Sequence, residues 1–105
     1  MASVDELIAR MQGKAGNLHR FGYRVRFDLT DTAESILVDG TAGAASIALA
    51  STADAADTVL MLRAADMAKL IAGKLSPMVA FATGRLKVEG SRGVAMKMAA
   101  LLDED

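Results

Sequence analysis

Side chains suited to acid–base chemistry are few in this chain. His19 is the sole histidine, and it stands in Asn17-Leu18-His19-Arg20, which reads as a solvated polar turn. Asp54 and Asp57 lie three apart and could pair as general acid and base. The surrounding Ser51-Thr52-Ala53-Asp54 reads more simply as turn and strand-entry chemistry. Cysteine is absent, which removes disulfides, thiolate nucleophiles and sulfur-bound metals. Gly84, Gly90 and Gly93 mark element ends, and their spacing matches no phosphate-cradling loop. The expectation is a protein that is not an enzyme and has neither a metal site nor a cofactor.

The remaining candidates are apolar. Met61, Met67, Met78, Met96 and Met98 are five of the seven methionines, and they share the second half of the chain with Leu60, Leu62, Leu70, Ile71, Phe81 and Leu101. Methionine is flexible and polarizable, so it suits a wall that adapts to apolar ligands of different shape. The same residues would also serve as ordinary core. Six basic residues (Arg24, Arg26, Arg85, Lys87, Arg92 and Lys97) form a further set, several of them opposite the apolar faces of their strands. They suit a solvated outer sheet face, or a weak docking surface for anionic membranes at about 1 kcal/mol per cation.

Local periodicity supplies the elements that position these residues. Ser3 and Glu6 have the capping-box spacing, and Val4, Leu7, Ile8 and Met11 form the stripe of an amphipathic helix that should end near Gly13 or Gly16. From Phe21 the period becomes two: Val25, Phe27 and Leu29 alternate with polar residues as one strand. Glu34 to Val38 and Ala45 to Ala50 follow across glycine turns, giving an antiparallel meander. Val59-Leu60-Met61-Leu62, within a strand from Thr58 to Leu62, is apolar at every position and belongs inside the sheet. Helices are predicted over Ala64 to Ala72, stopped by Gly73, and over Pro77 to Thr83, where Ser76-Pro77 supplies cap and first turn. A fifth strand, Arg85 to Glu89, precedes a last helix carrying Val94, Met98, Leu101 and Leu102, and then an acidic tail.

At 105 residues the chain is expected to be one domain over residues 1–105, of α+β class. Twelve basic residues balance thirteen acidic ones, and the aromatics are three Phe, one Tyr and no Trp. Nucleic acid, which needs a positive field and stacking rings, is therefore not an expected partner. No signal peptide or spanning segment is legible, which predicts a cytoplasmic protein.

The run Ala80-Phe81-Ala82-Thr83-Gly84-Arg85-Leu86-Lys87-Val88-Glu89-Gly90, followed by Gly93-Val94-Ala95-Met96-Lys97, resembles the C-terminal half of the sterol carrier protein family. The order of elements over Thr58 to Leu102 agrees: a strand, a helix ending at Gly73-Lys74-Leu75, a proline-started helix, a Gly-basic-Leu-basic strand and a closing helix. The resemblance implies a five-stranded, mainly antiparallel sheet with helices over one face. It also implies an apolar tunnel between the layers that holds a sterol, fatty acid or acyl chain. Leu60, Leu62, Met67, Leu70, Ile71, Met78, Phe81, Met96, Met98 and Leu101 would form its wall and lid. The first helix is short for the family, and the chain does not end in a peroxisomal signal. An empty apolar void of about 300 Å³ would cost on the order of 7 kcal/mol. The tunnel should therefore be filled by ligand, collapsed, or closed by dimerisation. The alternative function is an interaction module whose apolar surface is closed by a second copy or an enzyme partner, which leaves monomer or homodimer open.

Overall fold

A computed structural model of the chain describes residues 3–103; Glu104 and Asp105, read as part of the acidic tail, lie outside the described residues. Helix α1 (Val4–Gln12) starts on Ser3, whose Oγ accepts the Glu6 N–H at 3.2 Å. Glu6 does not complete the capping box, because its carboxylate takes Arg10 at 3.3 Å one turn on. Val4, Leu7 and Met11 are buried, as the stripe requires. Gly13 closes the helix in a right-handed conformation (φ −63°), so the chain runs on into a 3-10 turn, Ala15–Leu18.

Five strands follow: β1 (Arg24–Leu29), β2 (Glu34–Asp39), β3 (Ser46–Ala50), β4 (Thr58–Leu62) and β5 (Lys87–Gly90), in spatial order β3-β2-β1-β4-β5. The first three form the expected antiparallel meander, and β5 runs antiparallel to β4. β4 does lie inside the sheet, with β1 as its parallel neighbour. That one parallel pair forces residues 51–57 to carry the chain back across the sheet before β4 begins. Asp57 holds the return by accepting the Arg24 N–H at 2.8 Å, and the Asp54 carbonyl accepts Arg26 Nη1 at 2.7 Å. The Asp54 carboxylate accepts the Ser51 N–H at 2.9 Å, so both aspartates do the turn and strand-entry work expected of them.

Register puts Val25, Phe27 and Leu29 on the same face as Ile36, Val38, Leu60 and Leu62. Over this face lie α1 and three further helices: α2 (Ala64–Ile71), α3 (Pro77–Ala82) and α4 (Arg92–Asp103). Between the layers Leu7, Met11, Phe27, Ile36, Leu60, Met67, Leu70 and Met98 lose all contact with solvent. On the opposite face Arg26 grips Asp28 through two nitrogens at 2.8 and 3.1 Å, and the Ser35 hydroxyl donates to the same carboxylate at 2.8 Å. The hydrogen bond to Asp28 raises the Arg26 pKa, against the opposing effect of burial.

Strand β5 begins at Lys87, two residues after the predicted Arg85. The amides of Arg85 and Leu86 both donate to the Ala80 carbonyl, at 2.9 and 3.1 Å, behind Gly84 at φ +78°. This C-terminal wrap of α3 keeps Arg85 in a turn.

A cation completes the helical layer. Lys14 Nζ donates to the Ile71 and Leu102 carbonyls, the latter at 2.6 Å, and so caps the last turns of α2 and α4 together. Carbonyls at helix ends lack internal partners and carry the negative end of the dipole. Lys14→Met is expected to cost about 2 kcal/mol and to lower the melting temperature by roughly 10 °C, with Lys14→Arg recovering part. An unchanged thermal unfolding curve would mean that water caps both helices equally well.

Candidate functional site

The ten residues expected to line a ligand wall divide by depth. Leu60, Leu62, Met67, Leu70, Ile71 and Met98 are each 2% exposed or less and pack on one another between sheet and helices. Met96 and Leu101, on α4, are half-buried. Met78 and Phe81 lie outside: α3 buries only Pro77 and Ala80 against the body, leaving Met78 70% and Phe81 37% exposed. The structure therefore gathers six of the ten into one closed apolar layer, two at its margin and two on the surface helix above it.

Two clefts border this layer, the first touching it at Leu62 and the second at Ile71. The first, about 540 Å³, is lined by Thr30, Met61, Leu62, Arg63, Asp66, Gly84, Arg85 and Lys87. It lies beyond the carboxyl ends of the parallel strands, where the Thr30 N–H reaches the Leu62 carbonyl at 2.9 Å. Asp31 caps α2 beside it, accepting the Ala64 N–H at 3.0 Å. Asp66 is buried in the first turn of that helix, with Arg63 Nε at 3.8 Å. Met61 and Lys87 enter this cleft as register partners on the outer face of the sheet, and Arg85 and Lys87 are its cations without a carboxylate in salt-bridge distance among the described residues, a pair that suits an anionic group. The second cleft, about 640 Å³, is lined by Arg10, Gly13, Lys14, Ile71, Ala72 and Lys74. Two of its cations are already engaged, Arg10 by Glu6 and Lys14 by the helix ends.

The basic set is likewise divided. Arg24 pairs with Asp39 at 3.2 Å and Arg26 with Asp28. Asp39 is held below the usual carboxylate range chiefly by hydrogen bonds from the Thr41 hydroxyl and N–H, with Arg24 adding to them. Arg85, Lys87, Arg92 and Lys97 have no carboxylate within salt-bridge distance among the described residues. Arg92 instead sits over the Phe81 ring at 5.5 Å, and Lys97 over Phe21 at 5.6 Å. His19 is exposed. Among the described residues no three His, Cys, Asp or Glu side chains stand where they could hold a metal ion. No helix there is long and apolar enough to cross a membrane.

Sequence reasoning missed Thr30 and Arg63 as cleft residues and Lys14 as a cap. Arg63 directly precedes a helix and stands three residues before Asp66, a readable spacing. Nothing local marks Lys14, whose partners are 57 and 88 residues away.

Comparison with known proteins agrees with the fold. Hydroxysteroid dehydrogenase-like protein 2 of Xenopus laevis is 39% identical over 49 residues, which is 47% of this chain but 12% of that protein. The chain thus spans only a small part of the curated relatives it matches. Sterol carrier protein 2 from Yarrowia lipolytica, in its apo form, superposes with a TM-score of 0.74 at 22% identity, covering 92% of this chain and 87% of that one. The palmitated SCP2L2 protein of Aedes aegypti superposes with a TM-score of 0.73 at 18% identity, covering 98% and 96%. Both structural likenesses concern the fold. A model of the SCP-2 sterol transfer family matches residues 4–103, the whole of the sheet and every helix over it, and the chain belongs to that family.

Proposed function

We propose that the chain is a non-catalytic carrier that encloses one apolar chain, a fatty acid, acyl chain or sterol, between sheet and helices. The observation that carries this reading is family membership over residues 4–103, joined to a helical layer whose buried residues are apolar apart from Asp66. Leu60, Leu62, Met67, Leu70, Ile71 and Met98 would form the inner wall. Met78, Phe81, Met96 and Leu101 would form a lid on α3 and α4. Because the inner six are packed shut, uptake requires α3 and α4 to lift from the sheet. Helix α3 is suited to that, since only two of its six residues are anchored. A sixteen-carbon chain would recover roughly 12 kcal/mol on burial, against about 4 to 15 for association, so micromolar affinity is within reach. The cations of the first cleft would receive a carboxylate or other anionic end. A cysteine-free chain fits a cytoplasmic location.

The test is native mass spectrometry of freshly purified protein, followed by titration with a fluorescent fatty acid. One lipid per chain, or saturable uptake at one site, is expected; protein that arrives empty and takes up none would end the carrier reading. A second reading is an interaction module within a larger assembly, favoured by the small share of the dehydrogenase-like relative that the match occupies. A concentration-dependent dimer without ligand uptake would select it.

A further inference from the structure

Strand β3 ends the sheet on its β2 side, and its outer edge lacks the usual guards. Edge strands are ordinarily kept from pairing by charge, proline or a bulge. From Gly40 to Ala53 this chain has neither a charged residue nor a proline. Leu49, on the strand itself, is 60% exposed. The direction of the backbone groups follows from the ladder. The Gly40 N–H donates to the Tyr23 carbonyl, on the β1 side of β2, at 2.9 Å. Polar groups alternate along an antiparallel strand, so Val38 and Ile36 also turn to β1, while Asp39, Leu37 and Ser35 turn to β3. Their partners Ser46, Ala48 and Ala50 are thereby bonded inward, and Ile47 and Leu49 point out of the sheet edge. Gln12 Nε2 donates from α1 to the Ile47 carbonyl at 3.0 Å, and just past the strand the Ser51 N–H is taken by Asp54 at 2.9 Å. Among the described residues Leu49 is left as the one residue of β3 whose N–H and C=O both lack a partner.

We infer that a second copy of the chain pairs with this edge, β3 against β3, on a two-fold axis through Leu49. A residue with both backbone groups open pairs reciprocally with its own copy: each Leu49 N–H donates to the carbonyl of the partner's Leu49, and the bonds to Gln12 and Asp54 stay in place. The two leucine side chains then lie directly opposite on one face, where an apolar cross-strand pair stabilises the contact. A second copy brings an equally uncharged edge, so no like charges meet along the strand, whereas a charged peptide would find nothing there to pair with. The two sheets become one continuous sheet. The contact is small and therefore transient. Helix α4 packs on β4 and β5, and α3 on α4, so the pairing lies away from α3 and α4 and needs no ligand.

The experiment is sedimentation equilibrium of the whole chain from micromolar to millimolar concentration, together with amide hydrogen exchange. A monomer–dimer equilibrium is expected, and exchange at the Leu49 amide should slow as the dimer fills. Leu49→Lys and Leu49→Glu each set like charges opposite one another on the axis and should weaken the dimer about tenfold. Mixed in equal amounts, the two variants should restore it as a heterodimer. Thermal unfolding checks that both fold. If either does not, Leu49→Ser, which removes only the apolar pair, carries the test with a weakening of about threefold. A chain that stays monomeric at every concentration, a dimer that Leu49→Lys leaves unchanged, or a mixture that associates no better than either variant alone would each overturn the proposal. A monomer that binds an uncharged extended peptide at Leu49 would do the same, since the edge would then serve another chain. Fatty-acid uptake by Leu49→Lys should equal that of the unmodified protein, which keeps this test apart from that of the carrier reading.

Discussion

Gly90→Ala is expected to be the most damaging single-methyl change at a glycine of this chain, costing about 3 kcal/mol. Gly90 adopts φ +87°, a left-handed conformation that charges an L side chain roughly 1 to 2 kcal/mol. An added Cβ would also stand 2.7 Å from the Asp57 carbonyl oxygen and 3.2 Å from Thr58 Cα, both backbone atoms unable to turn aside. Gly84→Ala is the control: φ is +78°, yet nothing lies within 4 Å of the new Cβ. It should therefore cost only the conformational part, about 1 kcal/mol. Urea unfolding of the two variants separates strain from collision, and equal losses would refute the collision. The joint matters because Gly90 links β5 to α4. Thr58 Oγ1 clamps it from the neighbouring strand, contacting the Glu89 and Ser91 carbonyls at 2.9 Å each.

Met98→Ala is the second large effect, and it speaks to function. Met98 is wholly buried on α4, so its truncation should destabilise the empty protein by about 3 kcal/mol through lost contacts and a void. If a ligand chain enters this layer, its methylenes fill that void, and saturating palmitate should raise the melting temperature of the variant more than that of the unmodified protein. Equal ligand-induced shifts would show that Met98 is plain core and that the apolar chain is held elsewhere.

The order and type of the elements were readable from local pattern. The stripe Val4, Leu7, Met11 and the alternation Val25, Phe27, Leu29 each need one partner face, and each found it. The unbroken apolar run of β4 correctly announced an interior strand: it has a neighbour on each side, and only Met61 of its five residues is left partly exposed. What it did not announce was that β1 would be the parallel neighbour. That pairing depends on how residues 51–57 return, and the Arg26 contact that holds them is tertiary. Within the glycine-rich segment the run Ala80 to Gly90 carried the family resemblance, yet it misled on Arg85. Alternation suggests a strand there, while two amides folding back on one carbonyl make a turn.

The candidate site divides along the same line. Composition and periodicity by themselves indicated helices and strands that each bury one apolar face, with five of the seven methionines in the second half. Those properties follow from side-chain types repeated at 3.6 or two residues, each written within a few neighbours. Only the tertiary structure decided how deep each apolar residue lies. It closed Leu60, Met67 and Met98 away from solvent and left Met78 and Phe81 on the surface. It also drew Arg63, Arg85 and Lys87 around one cleft and set Lys14 across two helix ends. Depth and convergence depend on which distant segments come to lie on top of a residue, and a sequence window holds no information about its cover.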